Sequence, residues 1–559
     1  MQAGTTERVS APGLSLAGVM VLLVVLYLVR LGAAPLFDVD EGAFAEATRE
    51  MLSSGDWGHT LLNGADRFDK PILVYWLQAA SMAVFGVTEF AARLPSALCT
   101  LAAAYSVGHH LRSRWGESAA ALAALMLGTA LGFVAIGRAA TADGLLNALI
   151  VMIALSLWRF VEGGSQRDLR WAYFWTGLGL LAKGPVAVLV PGGALLLWSL
   201  LSDRGRSAWR AAWSPSGWLI VLAVAAPWYV YALNRHGMAF VDGFLLKHNV
   251  ERFSGAMEGH SGGLAYYLVV WPLLCLPWTP LMAAVVWRAK ALWREPLTRF
   301  LMVWALWVLA FFSLSGTKLP HYLLYGTAPM LMLMARVGSE ATRGWRAMVW
   351  LSALTTGVAL TVSGHVAWHW AQHIANPWYR LLITESADHL YLMQAAAVFA
   401  LLWLALCLAR FWRRPGAAFA KPMPVGEATP SSVLGEVPTA APVASREVLG
   451  AQRRMAWAAW AASMAFTVVA LPWWGQTLQS PFKAAGEWAQ AQGMGITQWR
   501  LHHPSVAFYA QAIAPRRAPR EHEWALTLLS KGPLPEGARV VWELKGVALV
   551  ANVREEAQP

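Results

Sequence analysis

Long apolar runs recur along almost the whole chain, and they restrict its fold more than any other feature. About 13 of these runs have roughly 17–22 residues, the length that a helix needs to cross a bilayer. The 559 residues are 57% hydrophobic and only 14% charged, whereas soluble domains carry about 25% charged residues. The sequence therefore predicts a mainly α-helical, polytopic membrane protein with about 13 transmembrane helices.

Basic residues set the expected orientation of these helices. Arg and Lys concentrate in alternate loops, which are cytoplasmic under the positive-inside rule. This places the amino terminus in the cytoplasm and, with an odd number of spans, the carboxyl terminus outside it. The formal charge of +12 follows from the same rule, so the basic balance does not indicate a nucleic-acid partner.

Composition divides the chain into two parts. Residues 1–471 form the predicted transmembrane domain, with a first extracytoplasmic loop at 35–94 and a cytoplasmic linker at 412–455 that is rich in Pro, Ala and Ser. Residues 472–559 form a small α/β extracytoplasmic domain. Its last two strands are expected at 539–544 and 547–553, where Lys545–Gly546 separates two apolar stretches.

The first loop carries most of the charge that a membrane setting makes costly. Asp40 and Glu41 open a helix that is predicted to run to about Ser53, with Glu46, Arg49 and Glu50 on one face. Two aspartates and a glutamate within four positions, Asp38, Asp40 and Glu41, can bind a divalent cation or act as a general base. A plain helix N-terminal cap is the structural alternative. Charge at a membrane face indicates a functional site, so we expect the chemistry in this loop.

Further charged residues lie on the same side of the membrane. Lys70 precedes Pro71 at a helix start, which suits a phosphate, although a lysine drawn to the interface is the alternative. Asp143 opens a span and needs a partner such as Arg138, a metal or a substrate. A basic segment and a polar turn complete the set, and they contribute Lys247, His248 and Arg252, then Lys318 and Tyr322.

Several of these segments together resemble the GT-C glycosyltransferases that use polyprenyl-phosphate sugars. The resemblance is closest to the lipid A aminoarabinose transferases and their protein O-mannosyltransferase relatives. The segments that carry it are Asp40–Glu41 through Glu46, Arg49–Leu52, Ser54–Trp57, Asp69–Lys70–Pro71 with Tyr75–Leu77, Phe85–Gly86, Ala92–Ser96, Thr141–Asp143, Leu180–Pro185, Glu251–Phe253 and Lys318–Pro320 with Tyr322. Their order follows the family along nearly the whole chain.

The resemblance implies a role for each matching residue. Asp40 corresponds to the proposed catalytic aspartate, with Glu41 beside it, and Asp143 joins them. The matching residues expected to bind the donor phosphate are Lys70, Arg252 and Lys183, and Tyr322 and Lys318 are expected in the donor cavity. From their positions in the charged segments, we add Arg67 to the phosphate-binding residues and His248 to the donor cavity. Asp40 and Asp143 are the candidate ligands of a divalent metal ion. No nucleotide-binding motif is present, so none is expected as cofactor.

Two positions depart from the aminoarabinose enzymes and leave the sugar open. Those enzymes usually carry an Arg two residues after the acidic pair and a Tyr three before the Lys, where this chain has Ala43 and Arg67.

From the resemblance and the charged first loop, we predict a bacterial inner-membrane enzyme that moves a sugar, with 4-amino-4-deoxy-L-arabinose as the candidate, from undecaprenyl phosphate to lipid A or another periplasmic glycan or protein acceptor. An enzyme resembling the protein O-mannosyltransferases and a lipid-linked sugar transporter or flippase are the alternatives.

Overall fold

The computed structural model describes residues 14–251, 262–386, 394, 443–517, 519–520, 523–534 and 537–551. At residues 248–250 and 443–451 it describes the backbone alone. Arg252 and the apolar run centred near residue 401 lie outside these ranges, as does most of the expected linker at 412–455. The count of 13 helices therefore stays a prediction.

Helices dominate the described chain, as the apolar runs predict. The α-helices are α1 Leu16–Leu28, α2 Asp40–Ser54, α3 Leu73–Phe85, α4 Glu89–Thr129, α5 Leu131–Gly137, α6 Ala142–Gly163, α7 Gln166–Lys183, α8 Val186–Leu200, α9 Gly205–Ala212, α10 Pro215–His236, α11 Met238–Phe240, α12 Tyr266–Leu274, α13 Pro280–Trp287, α14 Ala289–Leu292, α15 Pro296–Leu314, α16 Leu324–Ser339, α17 Arg343–His369, α18 Pro377–Thr384, α19 Val443–Ala465, α20 Leu471–Gln492 and α21 Ser505–Ala510. Shorter 3-10 turns cover Pro320–Leu323, Ala371–His373 and Leu529–Lys531, and π-helical turns cover Val241–Glu251 and Phe466–Ala470.

Six helical stretches of the described residues are long and apolar enough to cross a membrane, so the chain is a multi-pass membrane protein. They are Glu89–Thr129, Ala142–Gly163, Gly205–His236, Pro296–Leu314, Arg343–His369 and Gln452–Gln492. The first of them is two helices, because Gly116 adopts φ 79° and ψ 166° and breaks the helical path. This break separates the two apolar runs that the sequence predicts near residues 102 and 126.

The carboxyl-terminal part of the chain forms a small four-stranded sheet beside α20. Its strands are β3 Gly495–Gln498, β4 Glu523–Leu528, β5 Arg539–Leu544 and β6 Val547–Ala551, in the order β3-β4-β6-β5. The β3–β4 pair is parallel and the other two pairs are antiparallel. Strands β5 and β6 and the turn between them confirm the prediction from sequence. The helical stretch that ends in α20 passes through residue 471 without interruption.

Packing of the first loop determines where the site lies. Besides α2 and α3, the loop contains a hairpin of two short strands, β1 Leu61–Leu62 and β2 Ala65–Asp66. An apolar cluster joins the loop helices to the start of α6, the end of α7, α10 and α11. Its members include Phe44, Tyr75, Ala142, Leu145, Leu181, Ala182 and Phe240. The loop is therefore a packed part of the molecule, and it covers one end of the helix bundle.

Candidate active site

Helix α2 begins at Asp40, and its second residue anchors the first loop to the bundle. Glu41 is buried and accepts two hydrogen bonds from the Arg93 guanidinium, at 2.8 Å and 2.6 Å. It also accepts from the backbone N–H groups of Phe37 and Ala140, at 2.9 Å and 2.7 Å. Arg93 in turn donates to the carbonyl oxygens of Leu31, Ala34 and Pro35. Glu41 thus ties three segments together, a positioning task beside the catalytic role that the resemblance implies.

The charged face predicted on α2 has a structural use as well. Arg49 pairs with Glu46 through two hydrogen bonds, at 2.8 Å and 2.6 Å. Glu50 accepts from the backbone N–H groups of Asn63 and Gly64, at 2.5 Å and 3.0 Å, in the hairpin turn. Since a carboxylate that accepts two backbone N–H groups fixes a turn, α2 sets the position of the hairpin and of the segment that follows it.

Arg67 lies directly after that hairpin and is held from three sides. Its Nε donates to the Tyr75 hydroxyl at 3.1 Å, its guanidinium pairs with Asp69 at 2.9 Å, and it stacks 5.4 Å from the centre of the Phe44 ring. Burial disfavours the charge of Arg67, but Tyr75, Asp69 and Asp40 together outweigh it and raise its pKa. Arg67 is therefore a fixed, permanently charged group.

Asp40 and Lys70 are less buried than Arg67. Asp40 is exposed in the first turn of α2, and its charge acts on Arg67. The Lys70 ammonium donates to the Asp69 carbonyl oxygen at 2.8 Å, and its residue is half-buried. One loop thus presents an exposed carboxylate, Asp40, and two cations, Arg67 and Lys70. This arrangement suits an anionic substrate that approaches from the solvent.

A second charged centre forms around Asp143, at the start of α6. Asp143 Oδ1 lies 2.5 Å from Lys183 Nζ and accepts from the Tyr325 hydroxyl at 2.7 Å. Lys183 also donates to that hydroxyl at 3.2 Å, and its ammonium lies 5.2 Å from the centre of the Tyr322 ring. His321 Nε2 is 3.7 Å from Asp143 Oδ2. Four side chains from three helical segments thus surround one buried carboxylate.

The partner of Asp143 is therefore Lys183, and the suggestion of Arg138 is wrong. Arg138 donates instead to the carbonyl oxygens of Leu26, Tyr27 and Val29, at 2.7–2.8 Å. These groups belong to the last turn of α1, whose carbonyl oxygens lack partners within the helix. Lys183 reaches Asp143 because α7 ends at Lys183 and the chain reverses through Gly184–Pro185 into α8.

The donor-cavity residues have different surroundings. Tyr322 is buried beside Lys183 and packs on Phe312, with ring centres 5.1 Å apart. The Lys318 ammonium donates to the carbonyl oxygens of Phe312, Ser313 and Ser315 at the end of α15, at 2.5–3.1 Å. These bonds use all three donors of an ammonium group, so Lys318 caps the helix. His248 has no described side chain, and Arg252 lies outside the described residues.

The contacts of three residues at the site could not be read from the sequence. Tyr325 and His321 both face Asp143. Their four-residue spacing, about one helical turn, is the sequence signal that could have indicated a shared face. Asp38 is enclosed by the carboxyl-terminal part of the chain: it accepts from the Ser505 N–H at 2.9 Å and from the Ser505 hydroxyl, and His503 Nδ1 lies 3.2 Å away. No local pattern connects residues that lie so far apart in the sequence.

Comparison with known proteins gives the family. The model of the dolichyl-phosphate-mannose-protein mannosyltransferase family matches residues 69–231. An undecaprenyl phosphate-alpha-4-amino-4-deoxy-L-arabinose arabinosyl transferase of Pseudomonas aeruginosa is 30% identical over 411 residues, which cover 71% of each chain. A transferase of the same name, numbered 1, from Sodalis glossinidius is 30% identical over 395 residues, 66% of this chain and 69% of its own.

The fold agrees with these relatives. The crystal structure of ArnT from Cupriavidus metallidurans bound to undecaprenyl phosphate superposes with a TM-score of 0.75, over 97% of this chain and 99% of that chain, at 19% identity. The multi-pass helical fold and the relatives together identify the chain as a membrane glycosyltransferase of the GT-C class. Within that class, the chain belongs to the family of undecaprenyl phosphate-aminoarabinose arabinosyl transferases.

Proposed function

We propose that this enzyme transfers 4-amino-4-deoxy-L-arabinose from undecaprenyl phosphate to lipid A at the periplasmic face of the bacterial inner membrane. The donor is supported by the names of its relatives. The observation that carries the proposal is the pair of charged centres, Asp40 with Arg67 and Asp143 with Lys183, which one apolar cluster ties to the same end of the bundle.

The orientation follows from the basic loops. With the amino terminus in the cytoplasm, the loop 35–94 and the domain 472–559 are periplasmic. The contacts between Asp38 and Ser505 support this arrangement, because they require the first loop and the carboxyl-terminal part to lie on the same side of the membrane.

The donor phosphate is the leaving group, and its negative charge grows as the bond to the sugar breaks. Fixed cations stabilise such developing charge more effectively than water does. Arg67 and Lys70 supply this charge in our proposal, with Lys183 and Arg252 as further contributors. Arg67 needs no rearrangement for the task, since Tyr75, Asp69 and Phe44 already hold it in place.

The acceptor side is assigned to the carboxylates. In our proposal Asp40 takes the acceptor proton or orients the acceptor, and direct attack inverts the anomeric carbon. Asp143 orients Lys183 and Tyr325 around the reacting groups. A divalent cation bound by Asp40 and Asp143 stays a prediction, with Lys183 already balancing the charge of Asp143. No nucleotide is needed, because the lipid phosphate activates the sugar.

The test is a mass measurement in cells. The full chain is produced in a bacterium that makes the aminoarabinose donor but lacks its own transferase, with Asp40→Asn as the matched inactive variant. We expect lipid A that is heavier by one aminoarabinose residue with the intact chain and unmodified lipid A with the variant.

A different acceptor or sugar gives a different result in the same cells. The match of residues 69–231 to a mannosyltransferase family favours a protein O-mannosyltransferase-like activity as the second candidate. That activity predicts hexose on periplasmic proteins and no change in lipid A. Unmodified lipid A together with glycosylated proteins would overturn the proposed acceptor and keep the enzyme class.

A further inference from the structure

Two histidines and an aspartate converge where the first loop meets the end of α10. His59 precedes the hairpin, Asp66 lies in its second strand, and His236 ends α10. His59 Nε2 is 3.0 Å from Asp66 Oδ1, and His236 Nδ1 is 3.4 Å from Asp66 Oδ2. The three candidate ligand atoms all lie within 4.8 Å of one another. A tetrahedral zinc ion with bonds of about 2.0–2.1 Å spaces its ligands roughly 3.3 Å apart, so small side-chain adjustments suffice.

The nitrogen of His59 has no hydrogen bond among the described residues, although it is enclosed. Its side chain is only 8% exposed, and Nε2 points toward the Asp66 carboxylate without a hydrogen-bonding geometry. Buried side-chain nitrogens normally have a partner, and a metal ion shared with the Asp66 carboxylate would supply one to His59 Nε2.

The surrounding structure holds the three ligands in place. Asp56 accepts from the Gly58 N–H at 3.2 Å and pairs with Arg235 at 2.6 Å. Trp228 of α10 donates to the Gly58 carbonyl oxygen at 3.0 Å. These contacts hold residues 56–58, which directly precede His59, against α10 near His236. Metal sites are usually supported by such outer contacts, which orient the ligands.

We propose that His59, Asp66 and His236 bind a transition-metal ion, with zinc as the best match, and that the ion fastens the first loop to α10. Two imidazole nitrogens and one carboxylate oxygen are ligands that zinc prefers, and a water completes the tetrahedron. Asp66 is half-exposed, which leaves room for that water.

The site also connects to the donor segment, and this part rests on the proposed function. Phe68 packs edge-on against His236 and Phe240, with ring centres 5.1 Å and 5.9 Å apart. It stands between Arg67 and Asp69 in the sequence. Fixing His236 therefore fixes Phe68, and with it the Arg67 guanidinium that the donor phosphate would meet.

The experiment measures metal rather than sugar transfer. The full chain is purified in detergent, stripped with a chelator and titrated with zinc chloride, and bound zinc and the thermal unfolding temperature are recorded. We expect about one zinc per chain and a higher unfolding temperature with zinc. His59→Gln and His236→Gln should each weaken zinc binding on the order of 100-fold or more, since lost outer contacts alone cost up to about that factor.

The matched control is His369→Gln, which changes an exposed histidine outside the cluster. It should bind zinc like the parent chain. Equal zinc binding by all three variants, or no zinc-dependent rise in the parent's unfolding temperature, would overturn the proposal. Either result is independent of whether the chain transfers aminoarabinose, so the proposed function is not tested by it. If zinc binds as expected, a lower donor KM in its presence supports the link through Phe68, and an unchanged KM removes that link.

Discussion

Ser505 donates both its backbone N–H, at 2.9 Å, and its hydroxyl to the carboxylate of Asp38, a residue 467 positions earlier in the chain. The Asp38 side chain is 1% exposed, so the carboxyl-terminal part buries it completely. Nearby, the Tyr509 hydroxyl accepts from the Leu36 N–H at 2.7 Å and Asn63 Oδ1 accepts from the Ala514 N–H at 3.2 Å. The carboxyl-terminal part therefore holds the entry to the first loop in place.

Gly42 tests this contact with one methyl group. A Cβ at Gly42 would overlap the Asp38 carboxylate and come within 2.6 Å of the Ser505 nitrogen. We expect Gly42→Ala to destabilise the protein by about 1–3 kcal/mol, the usual cost of overpacking, and to make the carboxyl-terminal part easier to cleave in limited proteolysis. Gly163→Ala is the control, because nothing lies within 4 Å of its added Cβ. Equal unfolding temperatures for the two variants would contradict the close packing.

Glu41 and Arg93 provide a test of anchoring against catalysis. Both are buried, and removal of one partner of a buried ion pair typically costs about 3–5 kcal/mol. We expect Glu41→Gln to lower the unfolding temperature markedly, as Arg93 then keeps an uncompensated charge. Glu340→Gln, in the exposed pair with Arg288, should cost no more than about 1 kcal/mol. A Glu41→Gln protein with parental stability but no transfer would instead indicate a direct catalytic role.

The sequence predicts local features of this site well. Helix α2 ends at Ser54 where the pattern predicts about Ser53, and α7 turns at Lys183 as expected. Apolar periodicity and turn residues act over a few positions, so they are readable without a structure. The hydrogen bonds from the hairpin turn to Glu50 already join residues too far apart in the sequence for such local signals.

Partners of charged residues are much less predictable. The sequence offers several cations for Asp143, and only the packing of α7 against α6 selects Lys183 and leaves Arg138 for the carbonyl oxygens of α1. Likewise, the sequence places Lys318 in a polar turn, and only the structure shows that its ammonium donates to carbonyl oxygens at the end of α15. A buried charge must be satisfied, but the sequence does not state by which group.

Tyr325 allows the Asp143 centre to be perturbed without a change in charge. Its hydroxyl donates to Asp143 at 2.7 Å, and a hydrogen bond to a charged group contributes about 1.5–3 kcal/mol. If Asp143 acts in transfer, Tyr325→Phe should lower kcat/KM by roughly 10- to 100-fold. Tyr173→Phe removes a hydroxyl that donates to the Ala211 carbonyl oxygen and should leave kcat/KM unchanged. Equal rates for the two variants would exclude the hydrogen bond from Tyr325 to Asp143 from any part in the reaction.

Arg67 distinguishes charge from geometry in donor binding. Arg67→Lys keeps the charge but loses the planar fork that contacts Tyr75 and Asp69, whereas Arg67→Ala loses both. We expect the KM for the lipid-linked donor to rise in the order parent, Lys variant, Ala variant. Arg380→Ala, at an exposed arginine of α18, serves as the control. A KM that does not respond to Arg67→Ala would make Arg67 a structural residue of the loop.

Asp40 offers the cleanest separation of chemistry from folding. It is exposed, so Asp40→Asn should change stability by about 0.3–1 kcal/mol through the helix dipole, besides the lost attraction to Arg67. Loss of a general base typically slows a reaction about 10²- to 10⁴-fold, and we expect a decrease in kcat of that size with membrane insertion intact. Asp40→Glu retains a carboxylate on a longer side chain and should recover part of the rate. Full activity of Asp40→Asn in single-turnover transfer would move the acceptor chemistry to another residue.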